Sequence, residues 1–302
     1  MKTRILLFVL MFTGVLSYAQ QDSQFTQYMY NTININPAYA GSRGALSMFA
    51  LHRTQWVGFD GAPVTNTVSL NTPINESNLG LGVSLINDKI GPTTENTLSA
   101  DLSYTLQTSE IWKLSFGIKA TANLFDLDVS GLDPAVPADP SLQNYNKFTP
   151  NIGAGLYLHS DKAYVGISVP NFIQTNRYDD NEVAIFKEKI NYYLIAGYVV
   201  DLNDYVKFKP ALLTKMVKGA PLQVDVSTNF MFYDKFMLGV AYRWSASVSA
   251  MAGFQITDGL YIGYGYDHET TNLQKYNSGS HEIFLRYELF NNISKITTPR
   301  FF

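Results

Sequence analysis

Alternation with a period of two residues recurs along this chain, and it limits the chain to sheet. In Leu98-Ser99-Ala100-Asp101-Leu102-Ser103-Tyr104-Thr105-Leu106, every even position is apolar or aromatic and every odd one polar or charged, apart from the small Ala100. Successive side chains of a strand point to opposite faces, so such a run presents one apolar and one polar face. Leu222, Val224, Val226 and Phe230 repeat the pattern against Gln223, Asp225, Ser227 and Asn229. Phe236, Leu238, Val240 and Tyr242 follow it, as do Leu260, Ile262, Tyr264 and Tyr266, and then Ile283, Leu285, Tyr287 and Leu289. After residue 19 no run of about 18 apolar residues occurs, so no helix there is expected to span a bilayer. Alternation alone fits a soluble sandwich, with its apolar face turned inward, or a membrane barrel, with that face turned to lipid.

The connections separate the two. About fourteen alternating runs of ~8–14 residues begin near Ala45, Pro63, Leu79, Thr94, Trp112, Phe148, Ala163, Ile190, Tyr205, Leu222, Phe236, Ser247, Leu260 and His281. Tight connections fall at Asn75–Asn78, Thr108–Glu110, Ser160–Lys162, Asn203–Asp204, Tyr233–Lys235 and Asp258–Gly259. The long ones, Asp126–Lys147, Pro170–Lys189 and Asp267–Ser280, are all odd-numbered and so share one side of an up-and-down barrel. Short turns on the periplasmic side and long loops outside are the pattern of outer-membrane barrels. A sandwich gives no reason for it. The parity places both chain ends on the periplasmic side.

The fold expected is therefore all-β: a transmembrane, up-and-down antiparallel barrel of about fourteen strands with an N-terminal plug or rim segment. Twenty Tyr, nineteen Phe and three Trp suit the aromatic girdles of such a barrel. Met1–Ala19 reads as a cleaved signal peptide, with Lys2 and Arg4 before an apolar core and Ser17-Tyr18-Ala19 at the cleavage site. The domains expected are residues 1–19 as signal, 20–43 as plug or periplasmic segment and 44–302 as barrel. The chain has no cysteine, which excludes thiol catalysis and thiolate metal sites. Without the signal, 20 basic residues face 25 acidic ones, which gives no reason to expect nucleic acid as a partner.

Residues 20–42 break the alternation. The segment is rich in aromatics and amides, and Phe25, Tyr28, Met29, Tyr30 and Tyr39 are residues that bury surface. Its motifs, Gln24-Phe25-Thr26-Gln27-Tyr28-Met29 and Asn36-Pro37-Ala38-Tyr39-Ala40-Gly41-Ser42, resemble the opening of the PorP/SprF family of type IX secretion membrane proteins. Arg53-Thr54-Gln55-Trp56-Val57-Gly58-Phe59-Asp60-Gly61-Ala62-Pro63, Thr67–Pro73, Ile90-Gly91-Pro92 and the closing Pro299-Arg300-Phe301-Phe302 are similar as well. The resemblance is dense over the first third and looser beyond. It implies an outer-membrane barrel linked to type IX secretion and gliding. Such a protein supports secretion or surface attachment of a partner, often a large adhesin with a type B C-terminal sorting domain. It further implies contact with outer-membrane lipid and other secretion components. It carries over no catalytic residue, metal or cofactor.

The plug or partner candidates are Phe25, Tyr28, Pro37, Tyr39, Arg53, Trp56 and Phe59. Arg53 is expected in the lumen, paired with a carboxylate such as Asp101 or Asp225 or clamping the plug through backbone carbonyls. Trp56 reads as a girdle residue and Phe59 as part of a loop that docks a partner or closes the mouth. Asp133–Pro140 is expected to be an extended surface loop, and Tyr178–Glu182 lacks the spacing of a calcium loop. His52, His159, His268 and His281 fit no hydrolase motif, so an enzyme is not expected. The competing function is a FadL-like transporter of small hydrophobic molecules. The inward Asp101, Lys113, Lys119, Gln223, Asp225 and Arg286 suit a polar, filled interior instead.

Overall fold

The computed structural model describes Thr26 and residues 28–74, 77–131, 143–174 and 189–289. Met1–Ala19, Phe25, Asp133–Pro140, Tyr178–Glu182 and Pro299–Phe302 lie outside the described residues. Fifteen hydrogen-bonded runs form fourteen strands, because Asn191–Tyr198 and Val200–Asn203 are two parts of one. In chain order they are β1 Leu46–Thr54, β2 Val64–Pro73, β3 Leu79–Ile90, β4 Thr93–Gln107, β5 Lys113–Leu127, β6 Tyr145–His159 and β7 Ala163–Val169. Then come the two-part β8, β9 Val206–Val217, β10 Gln223–Phe232, β11 Phe236–Arg243, β12 Ser247–Gln255, β13 Leu260–Glu269 and β14 Ser280–Leu289. Each start lies within three residues of the position expected from alternation. Every pairing is antiparallel, and β14 pairs with β1 from Leu46↔Leu289 to Thr54↔His281, so the sheet closes on itself. Closure removes every edge, which a spanning sheet requires because lipid offers no partner to a backbone N–H or C=O.

The break in β8 has a local cause. Gly197↔Ala211 and Val200↔Phe208 keep one register across it, which sets Tyr198 against Pro210. Proline has no N–H to give the ladder at that point. Val199 instead donates to Lys162 O at 2.8 Å on the neighbouring side.

The faces are inverted relative to a soluble protein. In β4, Leu98, Leu102, Tyr104 and Leu106 are exposed, whereas Ser99, Asp101 and Ser103 are buried. In β14, Ile283, Leu285, Tyr287 and Leu289 are exposed, and Glu282, Arg286 and Glu288 are buried. An apolar wall exposed on the outside and a polar wall buried within suit lipid outside and a filled lumen inside. Among the described residues, no helix is long and apolar enough to cross a membrane.

The lumen is not uniformly polar. Phe49, Leu51, Met231, Met237, Met251, Tyr261 and Phe284 point inward and form one buried cluster with Tyr28, Met29, Tyr30, Ile33 and Tyr39 of the N-terminal segment. Lys113 has the inward parity expected of it, but it stands at the first residue of β5 and is exposed.

Candidate functional site: the plug and its seat

The N-terminal segment occupies the lumen as a chain of single turns. A 3-10 turn at Tyr28–Tyr30 is followed by one α turn at Thr32–Ile35 and a second 3-10 turn at Pro37–Tyr39. The residue before a proline is driven to extended backbone, and Asn36 adopts φ −138°, ψ 108°. Pro37 then starts the next turn with its φ already set. The Asn36 side chain caps that turn, its Oδ1 accepting from Ala38 N at 3.0 Å. Its Nδ2 donates across to Leu156 O of β6 at 3.0 Å. One fully buried amide thus shapes the plug and ties it to the wall.

The wall yields to this turn through glycine. A Cβ on Gly117 would lie 2.1 Å from Ala38 N, and one on Gly80 would lie 2.3 Å from Ala40 O. A Cβ on Gly155 would meet Asn36 Oδ1 at 2.2 Å, one on Gly166 would meet Asn36 Nδ2 at 2.8 Å, and one on Gly82 would meet Ile33 Cδ1 at 2.3 Å. These inward glycines on β3, β5, β6 and β7 form a cradle that brings the plug against the sheet. The short turns leave plug carbonyls without partners of their own, and lumenal side chains supply them. Ser103 Oγ donates to Ala40 O at 2.7 Å, Ser168 Oγ to Ile35 O at 2.6 Å and Lys119 Nζ to Ile33 O at 3.2 Å. Lys119 also pairs with Asp101 at 3.1 Å.

Aromatic contacts fill the space between. Tyr30 lies 4.7 Å from the Phe284 ring and 5.5 Å from Tyr261, and its hydroxyl is 3.2 Å from that of Tyr261. Arg286 and Lys209 lie over the Tyr30 ring at 5.7 and 5.4 Å, within cation–π range. Tyr39 meets Tyr157 edge-on at 5.6 Å. At the tight-turn end Arg43 pairs with Glu288 and donates to the Tyr39 hydroxyl.

Charge holds the opposite end. Arg53 donates to Asp267 Oδ2 at 2.7 Å, to Glu282 Oε2 at 3.1 Å and to the Thr26 hydroxyl at 2.6 Å. Thr26 in turn donates its hydroxyl to Asp267 at 2.5 Å and its N–H to Glu282 at 2.9 Å. All three charged side chains are at most 5% exposed.

Of the residues expected at a site, the structure gathers Tyr28, Pro37, Tyr39 and Arg53 in the lumen. The partners expected for Arg53 are corrected. Asp101 is held by Lys119 and Asp225 by Arg243, and Arg53 itself reaches the plug through the Thr26 hydroxyl rather than through a backbone carbonyl. The reason is closure, which lays β1 beside β14 and brings β13 next to it. Trp56 lies not in a strand-level girdle but in the β1–β2 connection at φ 45°. Its N–H donates to Ser280 Oγ and its indole to Glu269 at 3.4 Å. Val57 exchanges backbone hydrogen bonds with Ser278 and Gly279, which joins this connection to the β13–β14 loop. Phe59 is exposed at its tip.

Sequence reasoning missed the cradle glycines of β5–β7 and the aromatic seat. Both left a signal, since Gly117, Gly155 and Phe284 hold inward parity where a polar residue is expected. The histidines do not assemble. His52 bonds Asn66 and Thr54 on the outer face, and His281 bonds the Tyr264 hydroxyl at 2.6 Å. Glu282 beside it faces inward. Among the described residues no cluster of three or more ligating side chains could hold a metal ion.

A closed, plugged barrel with an apolar exterior defines the class: this is a transmembrane β-barrel of the outer membrane. The chain belongs to the PorP/SprF family, whose model, type IX secretion system membrane protein PorP/SprF, matches residues 17–287. No curated protein matches the chain as a relative. Among solved structures, the TodX deltaS2S3 mutant monoaromatic hydrocarbon channel aligns with a TM-score of 0.50 at 9% identity, covering 88% of this chain and 94% of that one. The CymD monoaromatic hydrocarbon channel aligns at 0.47 and 15% identity, covering 88% and 94%. A Pseudomonas aeruginosa FadL homologue aligns at 0.42 and 12% identity, covering 82% and 89%. Of these three, the first alone reaches a TM-score of 0.50, and at 9% identity that likeness speaks only to the barrel fold.

Proposed function

We propose that this type IX secretion membrane component is a non-enzymatic fixture on which a secreted protein is held at the cell surface. The partner class we infer is a large adhesin, recognised without covalent chemistry through its C-terminal sorting domain, in a machine that serves gliding. The observation that carries this reading is the plug. From Thr26 to Arg43 the lumen is occupied by a segment bonded to strands on all sides, which leaves the ends and the outer wall for partners. The long-loop end, where Trp56–Phe59 and the β13–β14 loop join, is the face we assign to the secreted partner. The outer wall suits lipid, and between β4 and β8 it carries an apolar hollow of about 720 Å³ that acyl chains would fill. Other components of the secretion machine would meet the tight turns.

Affinity purification from detergent-solubilised membranes tests this. A secreted protein that co-purifies, together with loss of its surface display in a deletion strain, is the expected result. Normal secretion and display in that strain overturns the reading. A FadL-like channel for hydrophobic solutes is the rival. The buried charges Arg53, Asp267, Glu282, Lys119, Asp101 and Arg43 make a poor path for an apolar solute. Uptake of a labelled fatty acid into liposomes holding the protein would favour the rival.

A further inference from the structure

The apolar band of the outer wall does not end at one height all the way round. A single register row crosses six strands on the outside: His52, Asn66, Asn87, Asn96, Leu124 and Phe148 stand opposite one another in turn from β1 to β6. Each lies two or three residues from the long-loop end of its strand. The first four are polar and bond along the row. His52 Nδ1 lies 2.7 Å from Asn66 Oδ1, and Asn87 Nδ2 donates to Asn96 Oδ1 at 2.8 Å. One outward position below them stand Ala50, Val68, Leu85 and Leu98. On β1–β4 the row thus marks the upper edge of the lipid-facing band. On β5 and β6 the same row is still apolar.

The row also climbs, because barrel strands are tilted. Pairing fixes the direction. From Thr72, one residue from the tight-turn end of β2, a row passes through Leu81, Leu102, Ile118 and Ala154 and arrives at Val169, the long-loop end of β7. With strands about 4.8 Å apart and tilted by about 35–45°, the climb is about 3 Å per strand. Phe148 therefore stands about 15 Å above His52 and about 6 Å above Asn96, beyond the band that lipid covers. There Leu124 and Phe148 are 55% and 58% exposed. Phe172 and Ile173, also exposed, are fixed beside them on β6. Phe172 N donates to Ile152 O at 2.8 Å. The Asn151 amide holds Ile173 from both sides, accepting from its N–H at 2.9 Å and donating to its carbonyl at 2.8 Å.

Exposed apolar side chains gathered in one place and held by the backbone mark a contact with another molecule. Acyl chains do not reach this height. A second copy of the chain is disfavoured by charge. The next outward residue on β5 is Asp126, and Asp128 follows; both are exposed carboxylates, and a twofold contact would bring them against their own copies. The outward cation Lys89 stands two strands away, on β3. We infer that the raised ends of β5 and β6 are a second docking surface for the secreted partner, fitted to an apolar patch bordered by basic side chains. This rests on the function proposed above for which side is outside and for a secreted protein being held there. It adds a contact several strands away from the Trp56–Phe59 connection, on the outer wall rather than over the mouth.

The test places the photoreactive residue p-benzoylphenylalanine at Phe148, at Phe59 or, as a lipid-facing control, at Leu102 of the full-length protein in intact cells. An aromatic replaces an exposed side chain each time, and the heat-modifiable shift reports that the barrel has assembled. The result expected is that light joins the Phe148 probe to a secreted protein that the Leu102 probe does not capture. Asp126→Lys with Asp128→Lys should then abolish most of that adduct while leaving the barrel assembled. An adduct unchanged by the charge reversal, an adduct at twice the chain's mass, or one mapped within the same chain overturns the inference. A secreted protein joined at Phe59 but not at Phe148 also overturns it and leaves the proposed function standing. No secreted protein joined at either position overturns both.

Discussion

The two ends of the plug are held by different physics. At the tight-turn end, the segment 35–41 is fixed by shape: glycines on four strands let the backbone sink against the wall, and serine hydroxyls donate to the carbonyls of Ile35 and Ala40. At the mouth, Thr26 is fixed by charge, through one guanidinium and two carboxylates that water barely reaches. Shape tolerates no added atom where the neighbour is backbone. A buried charge cluster tolerates replacement provided that the whole cluster is replaced. The lower end is thus a permanent seat and the upper end a latch.

The largest effect should come from the latch. Arg53→Leu strands Asp267 and Glu282 in the lumen, and breaking a buried pair in this way costs about 3–5 kcal/mol. The readout is a lower temperature for the heat-modifiable shift on a denaturing gel. Neutralising the partners as well, in Arg53→Met with Asp267→Asn and Glu282→Gln, should recover most of that loss. If the triple variant melts with the single one, the latch is not electrostatic.

Next comes the cradle. Gly117→Ala sets a methyl against Ala38 N and the Pro37 carbonyl carbon, both backbone, and overpacking costs about 1–3 kcal/mol. No second substitution nearby should rescue it, which is the contrast with Arg53. Conductance across a planar bilayer should rise as the plug lifts. A silent Gly117→Ala would mean that the seat is soft.

Asn36→Ala removes a cap and a bond to the wall, worth about 1–2 kcal/mol together. Urea resistance of the folded band should fall by less than for Gly117→Ala. Smallest of all is Lys162→Ala at a tight turn. Its pairing with Asp201 is exposed and screened by water, so the change should fall within the scatter of the melting measurement. A large loss there would show that the turns carry more of the stability than the plug.

Much of this was legible residue by residue. Alternation placed Leu98 outward and Asp101 inward, and the turn residues located the strand starts closely. The aromatics of the N-terminal segment announced burial. Arg53 was legible as lumenal but not as the partner of Asp267 and Glu282, which lie 214 and 229 positions away. Asp101 and Asp225 looked equally suitable because parity states the side of a wall and not the neighbour across the lumen. Phe284 and Gly117 were passed over for the same reason. An inward aromatic and an inward glycine acquire meaning only when something is known to rest on them.

The sequence by itself determined a barrel: a period of two fixes which face each side chain takes, and turn chemistry fixes where each strand ends. Both are local, readable within a few residues. Only the tertiary structure decided the direction of the plug, the membership of the latch and the shape of the cradle. The direction of the plug and the latch depend on closure, which sets the first strand beside the last, and the cradle depends on which part of the wall the plug meets; none of these is local in the chain.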